Sequence, residues 1–128
     1  MRFILIITGL LISNLIMGQE SNITESDLIG CWAHSREENK TNSEIMIYRS
    51  CDYKEFPFSR FRHRFELNEN GKCTWLNLAS NDSHSMIDGT WTYDSKKQII
   101  EIFNTKGKSI NKYNLIEYKE RIIRISEY

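Results

Sequence analysis

The chain has 128 residues, of which 17 are basic and 17 acidic, so it carries no formal net charge. That balance excludes a general nucleic-acid binder and a polybasic membrane-surface protein, because both need an excess of Lys and Arg. At 40% hydrophobic and 12% aromatic residues, the composition is that of one folded domain with a core rather than of a disordered chain.

Arg2 is a minimal basic start, and Phe3 to Met17 is an apolar run broken only by Thr8, Gly9, Ser13 and Asn14. Gly18 then gives way to Gln19-Glu20-Ser21-Asn22. This layout predicts a secretory signal peptide over 1–18, cleaved after Gly18 or Gln19. A retained anchor would need roughly 20 apolar residues without such interruptions, and no Cys closes the run to accept a lipid. The expectation is a single domain over 19–128, secreted or periplasmic, with no integral membrane segment.

Within that domain the recurring unit is a short β run followed by a polar turn. A helical turn is expected at Ser26–Ile29, before strands at Ile29–Arg36, Glu44–Cys51, Arg60–Leu67, Lys72–Leu78, Met86–Tyr93, Gln98–Phe103, Ser109–Ile116 and Arg121–Ser126. Alternation is clearest in Arg60-Phe61-Arg62-His63-Arg64-Phe65-Glu66-Leu67, where every second residue is apolar or carries a ring. Turns are expected at Asn39–Asn42, Asn68–Gly71, Asp94–Lys97, Asn104–Gly107 and Tyr118–Glu120. Asn70-Gly71 is the strongest hairpin signal, since both residues tolerate positive φ. One Pro and six Gly leave no linker and no domain boundary. The fold class is all-β: an antiparallel, eight-stranded up-and-down meander that closes into a small barrel and so removes its exposed edges.

Three cysteines survive cleavage, and export permits a disulfide. Three pairings are open, as is no pairing at all. A hairpin about Asn39–Asn42 sets Cys31 opposite Cys51, which makes Cys31–Cys51 the preferred bridge and leaves Cys73 buried and free. No Cys-x-x-Cys occurs, so a zinc ribbon is excluded.

Few residues could carry chemistry. If Trp32 points inward, strand parity turns His34 and Arg36 inward and Ser35 and Glu37 outward. His34 with Arg49, Arg60 and Arg62 could then form a polar cluster for a carboxylate or anionic headgroup, a task suited to arginine's bidentate donors. The alternative is a solvated basic face, with Phe61, His63, Phe65 and Leu67 in the core and Arg60, Arg62, Arg64 and Glu66 in water. His34 and His63 could meet across strands with Asp82 or Glu37, but no two of His34, His63 and His84 have ligand spacing, and no metal or other cofactor is expected. No Gly-x-Ser-x-Gly elbow is present, and Cys73 beside Trp75 lacks the exposed electropositive setting of a nucleophile. No enzymatic activity is expected.

Gly30-Cys31-Trp32 on the first strand and Gly89-Thr90-Trp91 before a later hairpin resemble the two Gly-x-Trp motifs of small bacterial lipocalin-like proteins. Trp32–Glu38, Tyr48-Arg49 and Phe56–Arg62 further resemble segments of an uncharacterised secreted family in that group. The likeness spans nearly all of the mature chain. It implies a lipocalin-like barrel in which Trp32 plugs the closed end. It also implies a binding protein for a small apolar or anionic amphipathic molecule, with His34 inside and Arg49, Phe56, Phe58, Arg60 and Arg62 at the barrel mouth. The chain is shorter than classical lipocalins and has no helix after its last strand. A filled barrel working through its surface, as an inhibitor or cell-envelope interaction module, is the other expectation.

Overall fold

The computed structural model of the chain describes residues 22–78 and 84–128. The signal peptide expected over 1–18, its cleavage site and Asp82 lie outside the described residues. A 3-10 turn at Glu25–Leu28 leads into β1 (Gly30–His34), and a second 3-10 turn, Arg36–Glu38, follows it. The remaining strands are β2 (Met46–Ser50), β3 (Arg64–Leu67), β4 (Lys72–Leu78), β5 (His84–Asp94), β6 (Ile99–Asn104), β7 (Ser109–Lys119) and β8 (Ile122–Glu127). All neighbours pair antiparallel in one closed barrel. No helix among the described residues is long and apolar enough to cross a membrane.

The order around the barrel is β1-β2-β8-β7-β6-β5-β4-β3. The meander runs unbroken from β3 to β8, and the β1–β2 hairpin closes it with β1, not β2, against β3. Both β2 and β3 are antiparallel to β1, so they run in the same direction. The chain therefore has to travel back along the barrel between them, and residues 51–63 do so as a strap across the outer face of β1. Ala33, which pairs with Arg49 on one side and Arg64 on the other, is only 5% exposed because the strap lies over it.

Inward-facing side chains follow the period of two. Ile123 and Ile125 on β8, Ile100 and Ile102 on β6, and Phe65 and Leu67 on β3 are essentially sealed from solvent. Burying each such side chain contributes about 1.5–3 kcal/mol. The bore itself is occupied by rings. Phe65 on β3 and Tyr113 on β7 stack with centroids 6.3 Å apart, although their strands stand four places apart in either direction around the barrel. Tyr48 packs against Phe65 at 5.1 Å. At Gly89 the backbone meets the Trp75 ring so closely that a Cβ there would sit 2.6 Å from its Cζ3, which explains a glycine in the middle of a long strand.

One end of the barrel is closed by the N-terminal segment. Ile23 and Leu28 are buried in the core, Trp32 Nε1 donates to the Leu28 carbonyl at 2.9 Å, and Tyr93 OH donates to the Ile23 carbonyl at 3.0 Å. Trp91 Nε1 donates to the Asn68 carbonyl at 2.9 Å nearby. Trp32 is thus a core residue at the closed end.

Several expected boundaries move. β3 starts at Arg64, not Arg60, because Arg60 to Arg62 still belong to the strap and the chain joins β1 only where the His34 N–H reaches the His63 carbonyl at 2.8 Å. His63, Phe65 and Leu67 face inward as parity requires. β1 stops at His34, and the 3-10 turn after it resets direction. Arg36 consequently points outward with its side chain 56% exposed, whereas Ser35 is buried and donates to Glu38 Oε2 at 2.6 Å. The turn expected at Tyr118–Glu120 falls at Glu120-Arg121, both at positive φ (53° and 60°), since β7 runs on through Lys119.

Candidate functional site

The strap gathers most of the residues singled out from the sequence. Its start is fixed by the Cys31–Cys51 disulfide, with Cα atoms 5.3 Å apart. This bridge connects β1 to the residue just after β2, as the hairpin geometry predicts. Cys73 is left free and buried, its thiol pushed up to about 11 chiefly by burial, a state suited to packing and not to nucleophilic attack.

Two parallel ion pairs lock the strap and β2 to the second 3-10 turn. Arg62 donates to both Glu37 carboxylate oxygens at 2.7 and 2.8 Å, and Arg49 grips Glu38 in the same bidentate way, with one contact at 2.7 Å. Each hydrogen-bonded guanidinium holds its glutamate down to about 2. Arg62 also donates to the carbonyls of His34 at 2.7 Å and Pro57 at 3.0 Å, and its guanidinium lies 4.4 Å from the Phe56 ring centroid. From the turn side, Arg36 donates to Ser59 Oγ at 2.6 Å and to the Phe61 carbonyl at 3.3 Å. Ser59 Oγ in turn donates to the Phe61 carbonyl at 2.9 Å.

Between these fastenings Phe58 stands 98% exposed. Beside the strap lies an open depression of about 360 Å³, lined by Ala33, Phe56, Arg60, Phe61, Arg64 and Leu76 among others. Arg60 rests over the Phe61 ring at 5.3 Å. Among the described residues no carboxylate forms an ion pair with Arg60 or Arg64.

The expected cluster of His34 with Arg49, Arg60 and Arg62 is not assembled as one site. His34 is turned into the barrel, while Arg49 and the strap arginines lie on the outside of the wall, and Arg49 and Arg62 already have their charges matched by glutamates. Nor do Arg49, Phe56, Phe58, Arg60 and Arg62 rim the lumen: Arg49 faces outward from β2 beside the inward Tyr48, and the crossover puts the other four over the outer face. The cause is the position of β1 between β2 and β3, which strand alternation alone does not reveal.

Inside the end opposite the N-terminal segment, His34 stacks on Tyr48 at 5.0 Å, and its Nε2 lies 2.9 Å from Asn39 Nδ2. Tyr48 OH shares a hydrogen bond with His63 Nδ1 at 2.8 Å. Burial holds both imidazoles below the usual histidine range. Arg36 and Arg62 add to the effect at His34, and His34 adds to it at His63. His34 and His63 thus share the same tyrosine, but no group of three or more metal-binding side chains forms among the described residues. Glu38 and Ser59 are not among the residues the sequence singles out, and it suggests Glu37 only as a metal carboxylate and Arg36 only as an inward-facing side chain, whereas here Glu37, Arg36 and Ser59 hold the strap. The only trace of that role in the sequence is the acidic pair Glu37-Glu38 ahead of an arginine-rich stretch.

Compared with protein-family models, with curated proteins and with solved structures, the chain matches none.

Proposed function

We propose that this is an exported, non-catalytic lipocalin-like barrel that acts through its outer surface, with the strap over β1 as the contact face, rather than by enclosing a ligand. The observation that carries this reading is the Phe65–Tyr113 stack, which joins opposite walls of the bore at 6.3 Å. Small eight-stranded barrels hold either side chains or one small ligand, and here rings occupy the space at mid-height. The external strap is fastened at several points: the disulfide at its start, the bidentate Arg62–Glu37 pair, and four further arginine bonds, from Arg62 to the His34 and Pro57 carbonyls and from Arg36 to Ser59 Oγ and the Phe61 carbonyl. A segment held in one conformation binds a partner with less entropy lost on ordering. The Cys31–Cys51 bridge supports export, since such bonds persist in oxidising compartments.

The test is a thermal-shift screen of delipidated protein against fatty acids, lysophospholipids and apolar dyes. The expected result is no saturable stabilisation. A ligand bound in the folded state at one hundred times its Kd would stabilise by about 2.7 kcal/mol, and such a shift would reinstate the enclosed ligand and overturn the surface reading.

A further inference from the structure

We infer that the strap is a substrate-like inhibitory loop for serine proteases with a deep apolar primary pocket, of chymotrypsin type, and that Phe58 is the residue inserted into that pocket. The inference rests on the surface-acting reading and names its partner.

A large apolar side chain that is 98% exposed on a mobile loop would be an ordinary cleavage site. Phe58 differs because the chain is pinned immediately on both sides of it. Before it, the Pro57 carbonyl accepts from Arg62 at 3.0 Å, and Pro57 itself restricts the backbone. After it, Ser59 Oγ is held by Arg36 at 2.6 Å, and the Phe61 carbonyl by Arg36 and Ser59. Arg36 belongs to the 3-10 turn beneath the strap, and Arg62, near the strap's downstream end, is tied to that turn by the Glu37 carboxylate and to β1 by the His34 carbonyl. Upstream, Cys51 is bonded to β1. Downstream, the chain enters β3. The side chain that fills a pocket is therefore free, while the backbone that presents it is not. Aromatic anchors of this kind dominate binding energy at interfaces.

The same fastenings account for inhibition instead of digestion. The protease serine hydroxyl adds to the Phe58 carbonyl carbon, and its proton passes through the protease base to the Ser59 nitrogen. The Phe58–Ser59 C–N bond breaks as the ester forms. In a flexible substrate the freed amine diffuses away and water completes hydrolysis. Here Arg36 retains Ser59, and Arg62 with Cys51 retains the acyl side. The amine stays beside the ester, and its return, which re-forms the peptide bond and releases the serine with its proton, outcompetes water. Arg60, two residues beyond Phe58 and without an acidic partner among the described residues, supplies a cation for carboxylates on the rim of the protease cleft.

The experiment measures chymotrypsin and subtilisin activity on a chromogenic peptide with increasing amounts of the disulfide-bonded mature protein. Trypsin serves as the contrast. Competitive inhibition of chymotrypsin or subtilisin is expected. Phe58→Gly should weaken it roughly 100-fold without changing the melting temperature, since the side chain makes no buried contact. Phe58→Lys should transfer inhibition to trypsin, whose pocket takes a cation. Arg62→Gln should turn the protein into a faster-cleaved substrate, with the new terminus at Ser59 by mass spectrometry. Three results would overturn the inference: no inhibition of either protease by folded protein, inhibition indifferent to Phe58→Gly, or turnover of the wild-type strap at the rate of an ordinary peptide. Each of these leaves the ligand screen to decide the surface reading separately, because that screen probes the bore and not the strap.

Discussion

Replacing Phe65 by Ala removes the ring on which the filled bore depends. Phe65 is fully buried and touches Tyr48 at 5.1 Å, Tyr113 at 6.3 Å and His63 at 6.3 Å between centroids. Its removal forfeits the transfer energy of the ring and leaves a void that a closed barrel, with strands hydrogen-bonded on both sides, can do little to collapse. The expected cost is about 3–5 kcal/mol, against a total stability of about 5–15 kcal/mol for a domain. With about 4–8 °C lost per kcal/mol in a domain near this size, the melting temperature should fall by more than about 12 °C. Equilibrium urea unfolding gives the free energy directly, and a double-mutant cycle with Tyr113→Ala isolates the contact across the bore. A coupling of about 0.5–1.5 kcal/mol is expected for an aromatic pair. A loss below about 1 kcal/mol, or strictly additive single mutants, would mean that the two rings do not meet. The bore would then have room for a ligand, and the argument for a surface-acting protein would fail.

Thiol titration of the denatured, unreduced protein should find one reactive cysteine, Cys73, and three would refute the Cys31–Cys51 bridge. Breaking that bridge, which closes a separation of 20 residues, should cost about 3 kcal/mol by the chain-entropy relation. Stability should also fall with acid in two stages. The folded state holds His34 and His63 below their ordinary value of 6.5, so both are neutral at higher pH, and a penalty for charging them appears as pH drops beneath that value. Glu37 and Glu38 are held at about 2 against an ordinary 4.5. Their contribution is complete above about pH 4.5 and is lost as pH falls toward 2. Urea midpoints measured from pH 8 to pH 2.5 should be flat at first and then decline through both ranges. A level profile down to pH 3 would contradict the buried histidines and the ion pairs alike.

The barrel was legible because its cause is local. Alternation in Phe65-Glu66-Leu67 and in Ile123-Arg124-Ile125 sets which side chains are buried, and Asn70-Gly71 marks a turn in which Gly71 takes φ 74°. The disulfide was legible for a similar reason, as a single hairpin sets its partners opposite each other. The candidate site was legible as a set of residues but not as a place. Arg49, Phe56, Phe58, Arg60 and Arg62 do lie together along the strap and its anchor, yet on the outer wall. Ser35 and Arg36 broke the parity argument because the strand ends one residue before them, and a period of two says nothing about where a strand stops.

What the sequence determined by itself is an all-β chain, the inward set where alternation runs unbroken, and a preferred partner for Cys31. Tertiary structure alone decided which strands became neighbours. Because β1 closes the barrel between β2 and β3, two strands run in the same direction and the chain between them must return outside the wall. That return turned an alternating, arginine-rich segment into an external strap, matched Arg49 and Arg62 with Glu38 and Glu37, and separated all of them from His34. Strand order depends on contacts between distant segments, and no periodicity within a strand carries that information.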